Sequence, residues 1–508
     1  MKKAKNNPQK IIHSRENEQR ILLEESYIQV ENINEEEVKN LQKDNVQNAF
    51  WSVRLYECIK ELLNSAGYRE GNTLYFIFMF LIKLIIPCIK RKGILILGEE
   101  RTGKSALYTL CIDGLTKISG IPTVPMLRGN ANSDNSLCFL KERVVILEEI
   151  GEVLENAKEV INLIKDSFES GYFFQYQRQI TPTELTLIII GNNYASLDNF
   201  KGLENIDFLK NLPNGFNDRA FKDRIALLLP HYHNLQGKIQ YIEVGQEKMP
   251  TAYLKKMLFD IRDEKPEFLL EDYKNNFNER DLKIFNEFIF ALGKLCLKDK
   301  IPNWFIQGWL EVLQHFRFLL TDGKFYNPFN EKSARLIVEI LGYSVENIEF
   351  VGFDTNRIII KLKNTETFHK VSLTEFGRKE NMKEFEMYKT FNLDKVAKII
   401  ECRENGNLLI QEAGNYLPDK RIYFDNILKA NNEKNKTDDE FNKLLLENMA
   451  KNIYSIPEYN FRGISVQHKL YATGILKSYF GYSGEINYED FLFNETEVKI
   501  LNFSKYTK

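Results

Sequence analysis

The chain has 508 residues, enough for about three domains with ordinary hydrophobic cores. Its 69 Lys and Arg against 71 Asp and Glu leave a formal charge of -2, which excludes a surface that attracts nucleic acid all over. Binding of a polyanion would need a local patch or an assembled channel. Six cysteines, Cys58, Cys88, Cys111, Cys138, Cys296 and Cys402, show no metal-ligand spacing and suit buried thiols in a reducing compartment.

Residues 1–70 read as a charged arm followed by a helical region. The first part is polar, with ENINEEEVKN at 31–40. It carries no long apolar run, so no signal peptide is expected and the protein is read as cytoplasmic. From about Ala49, Trp51, Leu55, Cys58, Ile59, Leu62 and Leu63 fall on one helical face. After a turn at Gly67–Gly71 comes the most apolar stretch of the chain, Leu74–Cys88. It is short for a membrane span, Lys83 interrupts it and Pro87 lies near its end, so it predicts a buried helix leading into a strand.

That strand is Ile94–Leu97, and it runs into Gly98-Glu99-Glu100-Arg101-Thr102-Gly103-Lys104-Ser105, a G-x-x-x-x-G-K-[ST] loop ahead of a predicted helix. In such a loop the glycines let backbone N–H groups face the β-phosphate. Lys104 reaches the β- and γ-phosphates, and the Ser105 hydroxyl ligates Mg²⁺. The loop predicts bound ATP or GTP, with Mg²⁺.

A second apolar strand, Val144–Leu147, ends in Glu148-Glu149. One carboxylate at such a strand end can join the Mg²⁺ ligand shell and the other can polarise the attacking water; Glu148 takes the metal side and Glu149 the base position. A helix near 157–169 and a third strand, Leu185–Ile190, follow, the latter ending in Gly191-Asn192-Asn193. Asn192, with Asn193 as the alternative, can hold the lytic water or sense the γ-phosphate. Next come Arg219 and Arg224, just before a fourth strand at Ile225–Leu229. An arginine offered to a neighbouring subunit's nucleotide stabilises transition-state charge; Arg224 is favoured, with Arg219 as a second contact in trans and ion pairing to Asp218 or Asp223 as the plain alternative. His231 and His233 lack a third ligand and read as surface or interface histidines.

Helical periodicity covers 251–320, where Trp304, Phe305, Trp309 and Phe316 read as core. Beyond Gly323 the texture changes to short strands at 347–351 and 357–362, further strand and turn at 410–422, and helical segments at about 441–454 and 466–480. The predicted class is α/β: a P-loop core over 71–240, a helical lid over 241–322 and a separate α+β domain over 323–508.

The order phosphate loop, acidic strand end, Asn-tipped strand, arginine and helical lid resembles an AAA+ ATPase, in which a lid arginine, here Arg317, can also sense nucleotide. Between about 70 and 235 the chain more closely resembles the ATPase core of the BrxL family, the Lon-related proteins of BREX bacteriophage-defence systems. The resemblance rests on Leu74–Pro87, GEERTGKS, VVILEEIGEV at 144–153, IKDSFESGYF at 164–173, LTLIIIGNN at 185–193 and FNDRAFKDRIALLLP at 216–230. It implies a homo-oligomer, as a hexameric ring or stacked rings that engage DNA, with other defence-system proteins as partners and no membrane. Lys104, Ser105, Glu148, Glu149, Asn192 and Arg224 match the family's nucleotide-site elements. Insertions near residues 170–179 form pore-facing hairpins in the resembled ATPases, so Tyr176 and Arg178 are the DNA contacts expected here, against the plainer reading that the aromatics pack the hairpin on the sheet. No counterpart of a Gly- and Ala-rich Ser/Lys protease region follows residue 330, and proteolysis is not expected. The alternatives to a DNA-directed ATPase are a protein-remodelling ATPase and an ATP-gated scaffold with a C-terminal sensor or effector.

Overall fold

The computed structural model describes residues 55–69, 72–110, 112, 115–120, 122–128, 140, 142–148, 157–174, 180–192, 218–239, 251–297, 301–321, 328–354, 356–365, 367–391, 398–412, 491–493 and 498–500. Glu149, Tyr176, Arg178 and Asn193 lie outside them, as do the predicted helices at 441–454 and 466–480.

Helix α1 (Leu55–Ser65) buries Leu55, Cys58, Ile59, Leu62 and Leu63, the face its periodicity predicts. Helix α2 (Leu74–Ile85) starts at Thr73, whose hydroxyl accepts the Phe76 N–H, and is buried almost all round. An all-round apolar helix belongs inside a protein, and the aromatic contacts Phe78–Trp309 and Tyr75–Phe316 show where it packs. Among the described residues no helix is long and apolar enough to cross a membrane.

Strand β1 (Lys92–Gly98) enters a five-stranded parallel sheet with β2 (Thr116–Ser119), β3 (Val144–Glu148), β6 (Thr186–Asn192) and β7 (Ile225–His231), in the order β2-β3-β6-β1-β7. Between them lie α3 (Ala106–Leu110), α4 (Val124–Arg128), α5 (Ala157–Ser170), an antiparallel hairpin of β4 (Tyr172–Phe174) and β5 (Ile180–Pro182), and α6 (Arg219–Lys222). Strands β1, β6 and β7 are buried along nearly their whole length, as strands covered on both faces must be. All five run the same way, so their C-terminal ends share one edge. That edge carries the phosphate loop after β1, Glu148 on β3, Asn192 on β6 and His231 on β7.

Four helices follow: α7 (His233–Gln236), α8 (Thr251–Asp263), α9 (Glu279–Cys296) and α10 (Asn303–Thr321). Phe305, Trp309 and Phe316 are buried in α10, as expected of core aromatics, whereas Trp304, also read as core, is half-buried with Arg335 over its ring. The helices read as a lid meet the sheet at the edge opposite the phosphate loop. Arg262 of α8 is buried there and donates to the carbonyls of Pro87, Ile89, Arg143 and Glu184 and to the Thr186 hydroxyl, residues that precede or open three strands. Arg317 of α10 is not a nucleotide sensor in this arrangement: it is buried, ion-paired to Asp281 at 2.7 Å, and donates to the Ile225 carbonyl at 2.6 Å. Its partner carbonyl opens β7, at the edge opposite its own chain's phosphate loop, which puts it out of reach of that nucleotide.

Helix α11 (Ala334–Ile340) leads to an antiparallel sheet of β8 (Ile348–Phe353), β9 (Arg357–Leu362), β10 (Thr367–Ser372), β11 (Ile399–Arg403) and β12 (Leu408–Glu412), ordered β11-β12-β10-β9-β8. Helix α12 (Glu375–Phe391) packs on it. Contacts of this α+β unit with the ATPase core include the Tyr75 N–H, which donates to the Leu373 carbonyl at 2.9 Å, and Lys379 of α12, which donates to Asn234 of α7 at 2.8 Å. A small hairpin, β13 (Phe491–Phe493) with β14 (Val498–Ile500), completes the described chain.

Candidate functional site

The phosphate loop begins where a side chain cannot fit. A Cβ on Gly98 would lie 1.8 Å from the His231 carbonyl oxygen, because β1 and β7 pair through Gly98 opposite His231. The Glu99 N–H then donates to that same carbonyl at 2.9 Å. Gly103, at φ +73°, supplies the second backbone reversal, while Arg101 takes a left-handed conformation at φ 59° with an exposed side chain.

Inside the loop the Lys104 ammonium donates to the Gly98 and Glu99 carbonyls, at 3.1 and 2.5 Å. Its own backbone N–H, and that of Gly103, have no backbone carbonyl partner among the described residues. Burial pulls the Lys104 pKa down to about 8, although Glu100 and Glu99 favour the charged form. Ser105 precedes α3 and is only half-buried, and Thr102 donates its hydroxyl to the Glu99 carbonyl at 2.9 Å. A cationic side chain resting on carbonyls, beside unpaired N–H groups at the end of a parallel strand, fits a polyphosphate. Bound phosphate would stabilise the ammonium, so nucleotide binding near pH 8 is expected to take up protons. Calorimetry with ADP in buffers of different ionisation enthalpy should reveal that uptake, with affinity falling as pH rises from 7 to 9. A pH-independent affinity across that range would contradict it.

Asn192 stands directly opposite Gly98 in register and is exposed. Glu148 ends β3, with its carbonyl accepting from Gly120 at 2.6 Å. Because β6 lies between β1 and β3, Glu148 sits two strand spacings from the loop strand, roughly 10 Å. That interval accommodates phosphate, metal ion and water, and Asn192 borders it.

Arg224 and Arg219 lie at the other edge. Arg224 immediately precedes β7, donates to the Ala220 carbonyl at 2.7 Å and is ion-paired to Glu169; Arg219 opens α6 and is exposed. Asp218 is instead the N-cap of that helix and pairs with Lys165, which holds its carboxyl below the usual range. Both arginines line an open cleft of about 1180 Å³ together with Lys222, Arg280 and Lys283.

Sequence reasoning missed three residues at the loop. His231 was expected at the surface, yet it is buried at the tip of β7, with Nδ1 facing the Thr102 carbonyl at 3.4 Å. Burial and the charge of Lys83 hold its pKa well below the imidazole range, so it is neutral. Among the described residues no group of three or more His, Cys, Asp or Glu side chains could hold a metal ion. Gln236 of α7 donates to the same Thr102 carbonyl at 2.7 Å. Lys83, buried in α2, donates to the Gly103 carbonyl at 3.1 Å. The one available signal was a lysine within the most apolar helix, since a buried charge must meet a polar partner.

A parallel α/β sheet with a G-x-x-x-x-G-K-S loop at its C-terminal edge, an acidic strand end and an Asn-tipped strand beside it define a P-loop ATPase domain. The family model of the Lon-like protease BrxL-like ATPase domain matches residues 28–304, and the chain belongs to that family. The match extends beyond both ends of the 70–235 stretch that carries the resemblance. No curated protein matches the chain.

Proposed function

We propose that the chain is a ring-forming AAA+ ATPase that couples ATP hydrolysis to engaging, translocating on or remodelling DNA in bacterial antiphage defence. The observation that carries this reading is the opposite placement of loop and arginines. Seven residues of β7 separate Arg224 from the edge that bears Lys104, roughly 20 Å of extended strand. An arginine that distant cannot meet the γ-phosphate of its own chain, whereas in a head-to-tail ring it meets the neighbour's. The open basic cleft around Arg219 and Arg224 suits such a contact.

In this reading Lys104 and the loop amides bind the phosphates. Ser105 and Glu148 would hold Mg²⁺, which would offset phosphate charge. Glu149 polarises the attacking water and Asn192 positions it. Arg224, once released from Glu169, and Arg219 stabilise the charge of the transition state in trans. The β4–β5 hairpin supplies the substrate contact: Phe173 is buried, Tyr172 is exposed, and the connecting residues include Tyr176 and Arg178. These two would stack on bases and touch phosphate, with the charge of several copies gathered in one pore.

The test mixes two inactive variants. K104A keeps its arginines but loses its loop, and R224A keeps its loop but loses the arginine. Each alone is expected to be inactive, the mixture to recover turnover, and duplex DNA to stimulate it; R219A serves as a companion to R224A. No recovery in any mixture would sink action in trans. Turnover stimulated by unfolded polypeptide and indifferent to DNA would favour a protein remodeller instead. A second reading, an ATP-gated scaffold with a C-terminal sensor or effector, draws support from the contact of α12 with α7 beside the phosphate loop.

A further inference from the structure

We infer that Lys83 and Gln236 are positioning residues of the nucleotide site: from behind the loop they aim the Gly103 and Lys104 N–H groups at the phosphates. The inference rests on the phosphate-binding role proposed above and adds two residues outside the motif. A trans peptide is planar, with the carbonyl of one residue and the N–H of the next pointing in opposite directions. Gln236 holds the Thr102 carbonyl at 2.7 Å, so the Gly103 N–H points away from Gln236. Lys83 holds the Gly103 carbonyl at 3.1 Å, so the Lys104 N–H points away from Lys83. Two successive carbonyls are tied to the protein interior, and the two N–H groups that follow are left without a backbone partner among the described residues.

Both anchors are fixed by contacts of their own. Lys83 is 4 % exposed, its ammonium lies 5.8 Å from the centre of the Tyr108 ring, and the Tyr108 hydroxyl donates to the Lys83 carbonyl at 3.1 Å. Gln236 is 1 % exposed, and its carbonyl accepts the Thr73 hydroxyl at 2.9 Å. Thr73 is the residue that caps α2, so the two anchors belong to one connected frame behind the loop. Lys83 also brings a buried positive charge close to the loop, where it acts on His231 together with Lys104. A polyphosphate therefore meets amides oriented in advance, with a second positive charge behind the loop. Orientation before binding removes an entropic cost that a slack loop would meet on each binding event.

The experiment measures ADP binding by calorimetry on the full chain, with thermal melting to confirm folding. K83M keeps the length of the side chain and removes its donor; Q236L does the same for the amide. Each is expected to weaken ADP about tenfold, the worth of one hydrogen bond to a charged or pre-oriented group. With MgATP the loss should fall on KM more than on kcat. K83R retains a donor and a charge and should recover most of the affinity, which a merely space-filling role would not require. Folded K83M and Q236L with wild-type affinity, or K83R as weak as K83M, would overturn the inference. Should K83M fail to fold, Q236L decides alone by the same criterion. K104A separates the two levels: if it binds ADP normally, the phosphate-loop reading itself fails. If K104A loses binding while K83M and Q236L do not, only the positioning roles fail.

Discussion

E149Q is expected to bind MgATP as tightly as the wild type and to hydrolyse it about 10²–10⁴-fold more slowly, the usual worth of a positioned general base. Glu148 ends a strand of four buried apolar residues at the edge that bears the loop, and Glu149 follows it in sequence. An amide keeps the shape and hydrogen-bonding reach of the glutamate but does not accept the proton of the attacking water. E148Q should behave differently, with a raised Mg²⁺ requirement, because that carboxylate is assigned to the metal. Single-turnover hydrolysis alongside nucleotide binding distinguishes the two. Normal turnover by E149Q would show that the base assignment is wrong, and an exchange of the two phenotypes would swap the roles.

The second large effect lies in the C-terminal sheet. Glu384 of α12 is fully buried and accepts from Arg357 at 2.9 Å and from Lys370 at 2.8 Å, while Asp354 pairs with Arg357 at 2.8 Å. Burial pushes the Glu384 pKa up, but the two cations outweigh it and hold the carboxyl below the ordinary glutamate value. E384Q would leave Arg357 with Asp354 and Glu380 but the buried Lys370 short of its counter-charge, a change that costs about 3–5 kcal/mol when a buried pair is broken. Urea unfolding read by hydrogen exchange of residues 357–372 should report that loss, and a change below about 0.5 kcal/mol, ordinary for a surface substitution, would contradict it. The sign with pH follows from the depressed pKa. The contribution is complete above the ordinary glutamate value and disappears as pH falls through the lower folded one. Replacing the whole cluster with apolar side chains of matched volume should be far less damaging than E384Q.

Local pattern made most of the ATPase core legible. Apolar runs such as Ile94–Leu97, Val144–Leu147 and Ile225–Leu229 became buried strands because a strand covered on both faces must be apolar along its length. Strand β2, Thr-Lys-Ile-Ser, gave no such signal, since at the sheet's edge only Ile118 is buried. Helix α12 was equally faint: its sequence is polar, and it is fixed by ion pairs to β9 and β10 rather than by a broad apolar stripe. The motif residues of the loop were readable because their chemistry lies in eight consecutive positions. Gln236 and His231 were not, because each meets Thr102 across more than 120 residues of intervening chain. The place of Arg317, weighed as a weak sensor candidate against a solvated arginine, was hidden for a related reason. Sequence shows that a helix carries an arginine but not which edge of the sheet the helix meets.

The short helix α7 is touched on both sides. Gln236 faces the phosphate loop, while Asn234 holds Lys379 of the C-terminal unit, and Gly237 is packed so closely against Glu375 that an added Cβ would come within 2.5 Å of its carboxylate. Four residues leave little slack between these contacts. If α7 has two positions, nucleotide and anything gripping the antiparallel sheet both choose between them, and thermodynamic reciprocity binds the two choices together. A partner that tightens ATP by some factor must itself be held tighter by ATP, by that same factor.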